Sequence, residues 1–129
     1  MKTKIVAGII LVVIIAVTYT SFNGKGDIQK NSTIKIGAVL PLTGDAGTYG
    51  MDSKNSIQLA VNEINANGGI DDQNIEVIFE DGKCSGKDAT SAAQKLITID
   101  KVNVIIGGLC SGEALAIAPI AEKANILHF

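Results

Sequence analysis

A chain of 129 residues holds one ordinary domain and no more. With a formal charge of −2 and every basic residue a lysine, it offers neither the basic face that nucleic acid needs nor a guanidinium fork for a carboxylate or phosphate. Any anion held here must be met by backbone N–H groups, hydroxyls or lysine.

Residues 1–22 read as a signal peptide or an N-terminal membrane anchor. Lys2 and Lys4 precede an apolar run from Ile5 to Val17, a length that suits a secretory core better than a full span of ~20 residues. Extension through Tyr19 to Phe22 approaches spanning length. The nearest thing to a cleavage signal is Ala16 with Thr18, and no cysteine is present for lipid attachment. Cleavage and retention both stay open, and either one means export. Residues 23–32 (NGKGDIQKNS) form a polar linker.

Regular structure is expected from Thr33. Ile34, Ile36, Ala38, Val39 and Leu40 predict a strand ending at Pro41, then a glycine-rich turn over 42–50. Ile57, Ala60, Val61 and Ile64 carry the spacing of an inward helix face, which stops at Asn67-Gly68-Gly69. Ile75, Val77, Ile78 and Phe79 predict a second strand. Ser85 and Asp88 fit a capping box for a helix burying Ala89, Ala92, Ala93, Leu96 and Ile99. Val102, Val104, Ile105 and Ile106 predict a third strand. A helix from Ser111 follows, with Pro119 expected to break or kink it, and Ile126-Leu127 begin a fourth strand. This alternation is that of an α/β, doubly wound parallel sheet with right-handed crossovers. Its ligands bind beyond the carboxyl ends of the strands, the edge that carries loops 42–50, 80–86 and 107–112.

Nucleotide motifs come close and miss. Gly44, Gly47 and Gly50 are spaced G-x-x-G-x-x-G, not the dinucleotide fingerprint. The segment 82–88 (GKCSGKD) is one residue short of a P-loop and has Asp88 where a magnesium-binding hydroxyl belongs. Without the glycine fingerprint, Glu80 and Asp81 mean little as ribose ligands. No nucleophile has an adjacent base, His128 is the lone histidine and reads as structural, and Asp71-Asp72 reads as a solvated loop. No enzyme activity, cofactor or metal is expected. Ser111 sits where an N-cap belongs. Its hydroxyl and the first-turn N–H groups, that of Gly112 included, can meet a carboxylate or simply cap their own helix. Tyr49 serves equally as an aromatic wall or as packing. Cys84 and Cys110 are the only cysteines. In an exported chain they read first as a disulfide worth roughly 3.5 kcal/mol, with two buried thiols as the alternative.

The segments 34–50 (IKIGAVLPLTGDAGTYG), 60–89 (AVNEINANGGIDDQNIEVIFEDGKCSGKDA), 103–113 (NVIIGGLCSGE) and 117–127 (IAPIAEKANIL) resemble the N-terminal lobe of the leucine/isoleucine/valine-binding proteins. The resemblance covers nearly everything from Ile34 onward. It implies a type I periplasmic-binding fold of two α/β lobes that close on a ligand, with residues 33–129 a partial N-terminal ligand-binding lobe. It also implies a disulfide between Cys84 and Cys110, a carboxylate-holding role for Ser111, and Tyr49 near the ligand's side chain. His128-Phe129 departs from the small residues expected at that point. By the same resemblance the protein is the extracytoplasmic solute-binding component of an ABC importer, with an amino acid as ligand and a membrane permease as partner. The ligand-binding ectodomain of an anchored sensor is the alternative. At about a third of family length, one incomplete lobe is expected to bind amino acids weakly or not at all by itself.

Overall fold

The computed structural model describes residues 33–129. The targeting segment and linker expected over 1–22 and 23–32 lie outside the described residues. Four strands, β1 (Ile34–Leu40), β2 (Ile75–Asp81), β3 (Val104–Gly107) and β4 (Leu127–His128), form a single sheet in the order β2-β1-β3-β4, with every pair parallel. The register sets Ile36 beside Val77 on one side and Val104 on the other. The helices between them are α1 (Gly47–Ala66), α2 (Gly86–Lys95) and α3 (Ser111–Lys123).

Strand order decides which face each helix covers. The first crossover steps one way from β1 and the next two step the other way. Right-handed connections therefore put α1 on one face and α2 with α3 on the opposite one. Packing agrees: α2 and α3 lie against each other, while α1 lies against β1 and β2. The core is on the two-helix face, where Val39, Ala89, Ala92, Ala93, Leu96, Val102, Ile105, Ile117 and Ala121 are buried together. Small alanines on α2 and α3 let the two helices approach closely.

Three expectations about the helices are corrected. Ile99 does not face inward and is 70% exposed. A π-helical turn over Leu96–Asp100 follows α2, and its extra residue per turn rotates Ile99 outward while Leu96 stays fully buried. On α1, only Val61 of the predicted stripe is buried, because that helix covers just the two strands at one side of the sheet. Pro119 neither breaks nor ends α3, which continues to Lys123. The carbonyl of Leu115 that loses its partner lies on the exposed side of the helix, where water can meet it.

Turn chemistry behaves as the residues suggest. Gly68 and Gly69 take positive φ just after α1. Asp71 and Asp72 are the exposed central pair of a tight turn, both with positive φ, closed by reciprocal Ile70–Gln73 backbone bonds of 2.9 Å. Asn65 of α1 reaches across to β2, donating to the Ile75 carbonyl at 2.9 Å and accepting from its N–H at 2.8 Å. That pair sets where β2 begins.

Candidate ligand-binding site

The carboxyl ends of the strands form one edge, and three loops leave it. The loop after β1 is shorter than expected. Helix α1 starts at Gly47, not after Gly50, so Tyr49 lies in the first helical turn and not in a loop. Gly50 makes the early start possible, since a Cβ there would lie 2.0 Å from the Pro41 carbonyl oxygen. The helix thus begins pressed against the end of its own strand.

Asp81 ends β2 and secures this loop. Its carboxylate accepts from the Leu42 N–H at 2.9 Å, the Thr43 hydroxyl at 2.5 Å and the Lys83 N–H at 3.0 Å. Burial, the largest single influence, pushes its pKa up. The Thr43 hydroxyl and the N–H groups of Leu42, Lys83 and Thr43 together outweigh it and hold the carboxyl below the usual 3.8. A depressed folded-state pKa means that this contribution is complete at neutral pH. It fades as pH falls from about 4 through the folded value. Asp81→Asn is therefore expected to lower stability by roughly 1–2 kcal/mol at pH 7. The gap between variant and parent should narrow steadily as pH falls below about 4, in urea denaturation run across that range. A gap independent of pH would contradict the charge argument. Glu80, the neighbouring candidate, faces elsewhere and pairs with Lys95 at 2.6 Å.

The third loop turns at Gly107 and Gly108, with φ of 117° and 77°. A Cβ on Gly107 would meet the Val39 oxygen at 2.1 Å, so only glycine lets the chain leave β3 this tightly. Cys110, and not Ser111, is the N-cap of α3. Its extended backbone lets its carbonyl accept from Glu113 at 2.9 Å and from Ala114 at 3.1 Å. Ser111 and Gly112 are consequently the first two helical residues. Both are exposed, and within the described residues their N–H groups have no partner. Cys84 and Cys110 are joined as a disulfide, their Cα atoms 5.3 Å apart, which ties the loop after β2 to the loop after β3.

Between the start of α1 and the loop after β3 lies an open concavity of about 400 Å³ lined by Ala46, Tyr49, Asp52, Ser53, Leu109 and Cys110. The fold thus brings Tyr49 from α1 into one concavity with Cys110, whereas Ser111 and Gly112, which follow Cys110 in the chain, are not among the residues that line it. Asp52, Ser53 and Leu109 were not singled out from the sequence, and neither was Glu113. Glu113 is fully buried, and its two oxygens accept from the N–H groups of Cys84 at 3.0 Å and Cys110 at 3.1 Å. A glutamate three residues after the N-cap and ahead of an apolar run was the available signal. His128 has a structural contact, with Nε2 3.2 Å from the Gly107 carbonyl oxygen.

A sequence model of the family described as periplasmic binding protein matches residues 33–129. The chain belongs to that family. Among curated relatives, the Leu/Ile/Val-binding protein homolog 7 of Brucella abortus (strain 2308) is 31% identical over 104 residues, covering 81% of this chain and 26% of the relative. Among solved structures, the branched-chain amino acid transporter substrate-binding protein LivJ of Streptococcus pneumoniae, in complex with isoleucine, aligns with a TM-score of 0.73 and 39% identity. That alignment covers 75% of this chain and 28% of LivJ. A solute-binding protein of an ABC transporter from Rhodopseudomonas palustris BisB5, in complex with 3,4-dihydroxybenzoic acid, aligns with a TM-score of 0.67 and 34% identity. The coverage there is 74% of this chain and 26% of that one. The matched part of this periplasmic binding protein chain spans about a quarter of the length of the relatives it matches. Its parallel sheet with helices on both faces is the type I fold of the family, as a partial lobe. No helix among the described residues is long and apolar enough to cross a membrane.

Proposed function

We propose that this chain is part of the extracytoplasmic solute-binding component of an ABC importer. It takes an α-amino acid with a branched aliphatic or similar side chain and delivers it to a membrane permease without chemistry. The observation that carries the reading is that the N–H groups of Ser111 and Gly112, two exposed residues, have no partner among the described residues and directly follow Cys110, which lines a concavity with Tyr49, Ala46 and Leu109. A helix N-terminus with free N–H groups favours an anionic carboxylate, and the apolar wall favours an aliphatic or aromatic body. The isoleucine-bound relative supports the aliphatic choice, and the dihydroxybenzoate-bound one makes aromatic acids the rival.

A thermal-shift panel on the complete protein, of which the resemblance makes residues 33–129 one partial lobe, separates them. Leucine, isoleucine or valine at 100-fold its Kd is expected to add about 2.7 kcal/mol, read as a rise in Tm. A rise confined to benzoates would replace the amino acid by an aromatic acid, and a flat response to the whole panel would remove the reading. Ser111→Ala is then expected to weaken amino-acid binding roughly 10- to 150-fold, the loss of one hydrogen bond to a charged group. Unchanged affinity by calorimetry would take the Ser111 hydroxyl out of the site.

A further inference from the structure

We propose that Glu113 is a positioning residue for the two cysteine loops. Its buried carboxylate is a second, non-covalent clasp that keeps Cys84 and Cys110 close whether or not their sulfurs are joined.

Three independent features build this clasp. The carboxylate is divided between the loops, with Oε1 on the Cys84 N–H and Oε2 on the Cys110 N–H. The space for it depends on Gly82, where a Cβ would lie 2.1 Å from Oε1 and 2.9 Å from Val39 Cγ1. The start of α2 also meets the start of α3, since a Cβ on Gly86 would be 3.1 Å from the Gly112 oxygen. Among the described residues no lysine pairs with Glu113. Its charge is met by the two N–H groups and by the N-terminal end of α3, where it occupies the third helical position. Such a group is anchored by backbone alone, and each loop's backbone is held by the same side chain.

The consequence concerns redox behaviour and holds for any ligand. Reduction by glutathione breaks the Sγ–Sγ bond, leaves two protein thiols and turns two glutathiones into one glutathione disulfide. The equilibrium constant of that exchange reports how close the folded protein holds its two thiols. With the clasp intact the thiols stay near each other, and the disulfide resists reduction and re-forms readily.

Glu113→Gln in the full chain replaces one accepting oxygen by an NH₂ group that opposes an N–H. Equilibration with glutathione buffers, with folding confirmed by circular dichroism, should show the disulfide about tenfold easier to reduce, a rise in potential of about 30 mV. Ala118→Gly, on the exposed side of α3, weakens the helix without touching either loop and should leave the constant unchanged. In the reduced parent protein, hydrogen exchange should find the Cys84 and Cys110 amides still protected. A constant within twofold of the parent for Glu113→Gln overturns the proposal. If that variant does not fold, unprotected Cys84 and Cys110 amides in the reduced parent overturn it equally.

Discussion

Leu96→Ala is expected to lower the stability of the full chain by roughly 2–5 kcal/mol, the range for removing a fully buried leucine and leaving a cavity. Leu96 is the first residue of the π-helical turn, has no solvent exposure, and lies directly over the central strand. It fits there because position 37 is glycine: a Cβ on Gly37 would sit 2.8 Å from Leu96 Cδ1 and 3.3 Å from Cγ. The same geometry makes Gly37→Ala destabilising, by roughly 1–3 kcal/mol, since the leucine must shift within a packed core. Combining the two should cost less than the sum, because the added methyl occupies part of the vacated space. Urea denaturation of the parent, both single variants and the double variant checks this. Strict additivity would mean that Leu96 and Gly37 do not share the space the structure gives them.

Replacing both Cys84 and Cys110 by serine is expected to remove roughly 3.5 kcal/mol, from the entropy that the bond denies the unfolded chain. The cysteines are 26 residues apart, and the loop they close contains all of α2 and β3. The bond ties together two of the three loops at the carboxyl edge, so its loss is expected to loosen the start of α3 at Ser111 as well as the fold. The midpoint of urea denaturation should fall while ligand-free secondary structure is retained. A loss below about 1 kcal/mol would show that the unfolded chain is already restricted there, or that native strain offsets the gain.

Asp81 shows how a residue's structural role can go unread in sequence. It stands at the end of the second strand, and without a glycine fingerprint beside it the sequence assigns it no role. Its actual work, holding Leu42 and Thr43, depends on a loop 39 residues away in sequence. No spacing rule reports such a contact. Glu113 is similar: a glutamate three residues past an N-cap was visible, but a cysteine at the cap disguised it, and its second partner comes from the neighbouring crossover.

Local periodicity, turn residues and lengths determined the order of strands and helices, the parallel sheet and the edge from which the three loops leave. Each of those follows from which residues bury and where the chain can turn. The resemblance from Ile34 onward added the pairing of Cys84 with Cys110, which the folded chain contains. What only the tertiary structure decided is rotation and reach. The π turn faced Ile99 outward, the close approach of Gly50 to Pro41 moved Tyr49 onto a helix, and Cys110 displaced Ser111 from the cap. These outcomes rest on packing between elements, where a shift of one residue changes which group faces outward and which faces the core.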